Sequence, residues 1–170
     1  YFRQCLKRGG WNFAFKYLHI KYFVAPKIIE SKFAIPERDE IDLSIHALTC
    51  KRDLVMSIWS FLSFFSKTGL RGDFFIHNDG SLARVDLDIL KNIFPFAHIV
   101  DPSEFEKKYS QEIKQKLPAT YSFRFSNKYV LLKKLVDPLF VSRSENILII
   151  DSDMIWYNKP EEVIENVKNN

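Results

Sequence analysis

Residues 147–163 read ILIIDSDMIWYNKPEEV, and this stretch decides the fold. Its first four residues, Ile147 to Ile150, are all apolar, which is typical of a strand that is covered on both faces. Two carboxylates, Asp151 and Asp153, follow that strand directly. Pro160 then lies near the first turn of a helix predicted over 159–169, a place where proline is well tolerated. A covered strand followed by a helix favours a parallel α/β arrangement.

The same alternation extends upstream. Leu54, Ile58, Phe61 and Phe65 recur at helical spacing and predict a core-facing stripe on a helix that ends at Gly69. Ser81 is the predicted N-cap of a later helix. The pattern as a whole predicts an α/β fold, a Rossmann-like parallel sheet flanked by helices. Strands are predicted over 41–48, 72–77, 97–100 and 146–151, and helices over 51–69, 82–94, 101–116, 126–140 and 159–169.

The N-terminal part of the chain has a different composition. Residues 1–38 form an aromatic and basic extension, predicted to be helical, and the polar segment 35–40 separates it from an α/β domain over 41–170. Six Lys and Arg residues against the one acid Glu30 give residues 1–30 a net charge of +5, whereas the whole chain carries +4. This charge indicates either a solvated helix face or a peripheral contact with an anionic membrane surface. We expect no nucleic-acid partner.

Other features of the sequence bear on location and completeness. Cys5 and Cys50 lie far apart without metal-ligand spacing, so a reducing, cytoplasmic compartment is expected. No signal peptide and no apolar run of transmembrane length is visible in the sequence. The chain opens with Tyr1 rather than Met and stops soon after its most informative motif, so we expect it to be truncated at both ends.

The two carboxylates at 151 and 153 suggest chemistry. Ligands of parallel α/β sheets bind outside the carboxyl ends of the strands. In extended chain, residues i and i+2 point to the same side, so Asp151 and Asp153 are expected to aim at one point. A hard divalent cation, Mg²⁺ or Mn²⁺, would relieve their repulsion, with water or substrate phosphate completing its shell. The structural alternative is that Asp151 caps the following turn and Asp153 is solvated.

Four segments together resemble the nucleotide-sugar glycosyltransferases of A-type fold, the glycogenin-like branch in particular. ILIIDSDMIWYNKPEEV is similar to their DxD segment, and SNKYVLLKKL (126–135) to the helix before it. LSIHALTCKRDLVMSIWSFLSF (43–64) resembles their first strand and helix, and FFIHNDGSL (74–82) their second strand and turn. The resemblance implies a metal-dependent glycosyltransferase that uses a nucleotide-diphospho-sugar, a UDP-sugar in most such families, and an unknown acceptor.

The resemblance also implies roles for individual residues. Asp153 would be the principal ligand of Mn²⁺ or Mg²⁺, and Asp151 would bind the ion through water or face the ribose. Ser152 would lie beside the donor. Lys128 would approach the diphosphate, with Arg124 as a second candidate. Because surface arginines are common, a solvated position is the alternative for Arg124.

The nucleoside would lie against the ends of the first two strands. The resemblance places it at Ala47, Leu48 and Thr49, with Asp79 near the base or the ribose. Thr49 as a helix cap and Asp79 as an Asp-Gly turn residue are the structural alternatives.

Related enzymes have an acceptor-binding half after this point, and only seventeen residues follow Asp153 here. We therefore expect the nucleotide-binding half alone, with its catalytic residue unassigned. Two other functions stay open. One is a non-catalytic nucleotide-binding or interaction module. The other is a haloacid-dehalogenase-like phosphatase, in which the first Asp is a nucleophile, although Ile155 stands where such motifs place Thr or Val. His46, His77 and His98 are interpreted as packed strand histidines.

Overall fold

The computed structural model describes residues 10–12, 15, 16, 18–30, 40–126 and 129–169. The chain divides into two compact units, Tyr1–Phe33 and Ala34–Asn170. In the first unit the described residues are helical, with a π-helical segment at Ile20–Val24 followed by helix α1 (Ala25–Glu30). No helix among the described residues is long and apolar enough to cross a membrane.

The second unit is an α/β domain built on a parallel sheet, as the sequence predicts. Its strands are β1 (Glu40–Thr49), β2 (Arg71–Asn78), β3 (Ala97–Val100) and β4 (Ile147–Ile150). They lie in the order β3-β2-β1-β4, with every neighbouring pair parallel. The first strand of the chain is therefore central, and the carboxyl ends of the strands meet at one edge.

Helices connect the strands and cover the sheet. In chain order they are α2 (Leu54–Thr68), α3 (Arg84–Ile93), α4 (Pro102–Lys116), α5 (Pro118–Arg124), α6 (Leu132–Val136), α7 (Pro138–Val141) and α8 (Glu161–Asn169). A short 3-10 turn, Lys51–Asp53, leads into α2. The predicted stripe on α2 is confirmed, because Leu54, Ile58, Phe61 and Phe65 are all buried.

Aromatic side chains fill the space between α2 and β2. Phe61 and Phe65 of α2 each meet Phe74 of β2 edge to face, with ring centroids 5.2 and 5.1 Å apart. Phe94 joins the same group, 5.9 Å from Phe74. Such edge-to-face contacts place the positive ring edge against the negative ring face and add to the gain from burial. Four of the sixteen phenylalanines of the chain therefore meet in this one cluster.

Two predictions of local structure were wrong. Ser81 is not the N-cap of α3, which begins after Ala83. There the Asp86 carboxylate accepts a hydrogen bond from the Ala83 amide, 2.8 Å away. The helix predicted over 126–140 was expected to end near Pro138, and helix α6 does end at Val136, but it starts only at Leu132 and a separate short helix, α7, starts at Pro138. Proline has no N–H to donate back along a continuous helix, so it starts a new one.

Candidate functional site

A carboxylate follows three of the four strands at the carboxyl edge of the sheet. Asp79 follows β2, Asp101 follows β3 and Asp151 follows β4. Because the strands are parallel, the chain positions of these three residues lie along one edge. This is the edge at which parallel α/β sheets bind ligands.

Asp101 has a structural task. Its side chain caps α4 by accepting hydrogen bonds from the amides of Ser103 and Glu104, at 2.9 and 3.2 Å. Hydrogen bonds from Ser103 above all hold the pKa of the Asp101 carboxyl below its usual range. A carboxylate that caps a helix terminus in this way stabilises the fold.

Asp79 both stabilises a turn and lines a cavity. Its Oδ1 accepts hydrogen bonds from the amide and the hydroxyl of Ser81, at 2.8 and 2.6 Å, which is the turn geometry considered from the sequence. The same residue lines a cavity of about 270 Å³ together with Ser103, Glu106, Arg124 and Lys133. Two of the residues selected from the sequence, Asp79 and Arg124, therefore meet at this cavity.

The DSD segment lies in a turn rather than in extended chain. β4 ends at Ile150, Ser152 and Asp153 form the turn, and both aspartates are exposed, whereas Ser152 is half-buried. The extended geometry assumed for residues i and i+2 therefore does not apply beyond Ile150. The turn is fixed by α2, because the Ser60 hydroxyl donates to the Asp151 carbonyl at 2.7 Å and the Trp156 amide donates to the Ser63 hydroxyl at 3.1 Å.

An ammonium group satisfies the first of the two carboxylates. The Lys134 side chain forms an ion pair with Asp151 Oδ1. Within the described ranges Asp153 has no ion pair or side-chain hydrogen bond. The protein therefore pairs only one of the two like charges at the strand end.

Helix α6 presents two consecutive lysines to two different strand ends. Lys134 reaches Asp151 after β4, while Lys133 donates a hydrogen bond to the Asp79 carbonyl after β2, 2.7 Å away. Since β1 lies between β2 and β4, α6 crosses the carboxyl end of β1, with which it is in contact. Burial, followed by the nearby charge of Arg124, lowers the pKa of Lys133. Lys134 is the side chain that reaches Asp151.

The cationic residues selected from the sequence have other positions. Lys128 lies outside the described residues. Arg124 is not a solvated surface charge, because it is buried and forms a two-pronged ion pair with Asp137, with Nη2 2.5 Å from Oδ2. Its guanidinium also lies over the rings of Phe105 and Phe125, 4.9 and 5.0 Å from their centroids. This pairing satisfies a charge that would otherwise be costly to bury.

The predicted nucleoside contacts lie at the end of the central strand. Ala47 and Thr49 are buried, and Leu48 is half-buried. The Thr49 hydroxyl is hydrogen-bonded to that of Ser57, and the Thr49 carbonyl accepts from the Asp79 amide at 3.1 Å. A ligand at this point would therefore contact backbone and the Leu48 side chain more readily than the side chains of Ala47 and Thr49.

A chain of buried polar groups runs behind the site. The Ser142 hydroxyl donates to the Pro138 carbonyl at 2.6 Å, so it accepts from Nε2 of His46, which lies 2.9 Å away. Nδ1 of His46 is then free to accept from Nε2 of His77, also at 2.9 Å. Nδ1 of His77 faces Asp137 Oδ2 at 3.8 Å and has no hydrogen-bond partner in the described part of the chain.

This series of hydrogen-bonded side chains links the sheet interior to the cavity, since Asp137 binds Arg124. It requires His46 to be neutral. Burial, and secondarily the charge of His77, lowers the pKa of His46 to about 3. The prediction that His46 and His77 are packed strand histidines is confirmed, whereas His98 is half-exposed and lies 3.5 Å from Asp73.

No group of three or more His, Cys, Asp or Glu side chains in the described residues is arranged to hold a metal ion. Asp151 and Asp153 therefore fit a cation only as two of its ligands, with water or phosphate oxygens as the others. Comparison of the chain with protein-family models, with curated proteins and with solved structures finds no match.

Proposed function

We propose that the Ala34–Asn170 unit binds the diphosphate of a nucleotide-sugar donor and is the donor-binding half of a metal-dependent glycosyltransferase. One observation supports this best. The exposed Asp-x-Asp turn lies at the carboxyl edge of a parallel sheet, next to the central strand, with a lysine from α6 already at its first carboxylate. The choice of a UDP-sugar follows from the resemblance of the four sequence segments.

Charge decides what this edge can bind. A diphosphate is repelled by two exposed carboxylates unless cations lie between them. The protein supplies one such cation, Lys134, and a second ammonium, Lys133, lies at the end of β2, on the far side of β1. A divalent ion held by Asp151 and Asp153 would add two further positive charges. The edge then fits a metal-bound diphosphate better than a free anion or a free cation.

Each group has a distinct task in sugar transfer. The bound ion would stabilise the negative charge that develops on the departing nucleoside diphosphate. Lys134 would exchange its contact with Asp151 for a phosphate oxygen and add a charge-assisted hydrogen bond. Ser60 and Ser63 hold the turn against α2, so the two carboxylates do not have to be ordered when the donor binds.

Calorimetric titration of UDP with and without Mn²⁺ tests the proposal. We expect Mn²⁺ to raise the affinity of the wild type, and Asp153→Ala to lower the metal-dependent affinity by about tenfold or more. Asp88→Ala is the matched control, because Asp88 is also an exposed acid and pairs with Arg84 at 3.2 Å on helix α3. Equal affinity with and without metal, or equal effects of both substitutions, would contradict the proposal.

A further inference from the structure

The first unit of the chain exposes a line of aromatic rings. Trp11, Phe15, His19 and Phe23 follow one another at intervals of four residues in the helical segment, and we call them the aromatic stripe. In an α-helix, four residues advance by about 40° beyond a full turn, so residues four apart are neighbours on its surface. The ring contacts agree with this geometry, with 6.3 Å between the centroids of Trp11 and Phe15 and 5.5 Å between those of His19 and Phe23.

The stripe is open to solvent to an unusual degree. Trp11 is 68% exposed, Phe15 64% and Phe23 63%, and Ile20 beside them is 53% exposed. Single exposed apolar side chains are common on protein surfaces, but two contacting pairs of large exposed rings in one short unit cost free energy in water. Exposed apolar surface of this kind marks a site that binds a protein or a membrane.

The charge around the stripe indicates what covers it. Lys16 and Lys27 are exposed in the same unit, and residues 1–30 carry a net charge of +5 with Glu30 as the one acid. An apolar core of another protein would not complement this charge. An anionic lipid surface complements both parts, because aromatic rings enter the headgroup region while lysines remain at the charged surface.

We propose that the Tyr1–Phe33 unit docks onto anionic membranes through the aromatic stripe and its flanking lysines. The proposal is independent of the proposed sugar transfer, because none of its residues belongs to the sheet edge. It gives the N-terminal unit a task of its own, to hold the chain at a lipid surface.

Co-sedimentation of the full chain with vesicles tests this proposal. We expect binding to phosphatidylcholine vesicles that contain roughly one third phosphatidylserine, little binding to phosphatidylcholine alone, and weakening by salt. The double substitution Trp11→Ser and Phe15→Ser should reduce the partition coefficient by about tenfold or more. Replacing Lys16 and Lys27 by Gln should reduce it about fivefold per charge.

The matched control removes equally exposed apolar groups from the other unit. Leu131 is 75% exposed and Leu139 62%, so Leu131→Ser with Leu139→Ser should leave vesicle binding unchanged. Equal loss in the control and the stripe variant would overturn the proposal, as would absence of binding to anionic vesicles at low salt. Sedimentation velocity adds a further test. Dimers that the stripe substitutions abolish, without any vesicle binding, would assign the stripe to self-association and also overturn the proposal.

Discussion

Acid should destabilise the second unit through His46. This histidine is buried between the ring of Phe75, whose centroid is 4.7 Å away, and the hydrogen bonds to Ser142 and His77. Its pKa falls from 6.5 to about 3 on folding, so the folded state holds the ring neutral. The free energy of unfolding is therefore at its full value above pH 6.5 as far as His46 is concerned, and it falls progressively as the pH falls from 6.5 towards 3.

The size of the effect follows from that shift. Below pH 6.5, protonation of His46 stabilises the unfolded chain by about 1.36 kcal/mol per pH unit. At pH 5.0 this lowers the free energy of unfolding by about 2 kcal/mol. Urea denaturation at pH 7.5 and 5.0 measures the loss for the wild type and for His46→Gln. We expect the difference in unfolding free energy between the two proteins to shrink by about 2 kcal/mol at the lower pH.

A second histidine of the sheet provides the control. His98 also contacts the Phe75 ring, with centroids 5.0 Å apart and the ring planes tilted by 34°, but its side chain is 39% exposed. His98→Gln should therefore keep the full acid sensitivity of the wild type. If His46→Gln loses stability between pH 7.5 and 5.0 as steeply as the wild type does, a neutral buried His46 is refuted.

Substitutions at two further places test the interior of the second unit. Asp137→Asn leaves the buried Arg124 guanidinium unpaired and should lower the free energy of unfolding in urea by about 3–5 kcal/mol. Arg124→Met with Asp137→Leu removes both charges and should lower it by less. The reverse order would refute the buried ion pair. Gly72→Ala would drive its Cβ into the Leu43 carbonyl oxygen across the β1–β2 pair, so we expect a loss of about 1–3 kcal/mol in thermal unfolding. An unchanged melting temperature would contradict the close strand approach.

The sheet was predictable because its strands can be recognised from short stretches of sequence. Two of these stretches, Phe74 to Ile76 and Ile147 to Ile150, are apolar runs without alternating polar residues. Segments predicted to be helical lie between the strands. Helix α5 was missed, since PATYSFR is short and has no apolar stripe to set a period. The end of α6 near Pro138 was predicted, whereas its start at Leu132 and the separate short helix α7 were missed.

The site was less predictable because it depends on tertiary packing. Lys134 meets Asp151, and the orientation of α6 over the sheet, which sequence spacing does not reveal, decides which of its lysines does so. The pairing of His46 with His77 depends on the alignment of β1 with β2, in which His46 lies opposite Phe75. A polar residue inside each of two neighbouring apolar strands was the one sequence signal for it.

The central claim is that Asp151 and Asp153 hold a divalent ion together with a donor diphosphate. Electron paramagnetic resonance of free Mn²⁺ measures this directly, since bound manganese loses its solution signal. We predict that the full chain depletes free Mn²⁺ when UDP is present and that Asp151→Asn with Asp153→Asn abolishes the depletion. Asp42→Asn with Glu145→Gln, exposed acids at the opposite edge of the sheet, should preserve it. Equal depletion by the wild type and the Asp151/Asp153 variant would contradict the claim.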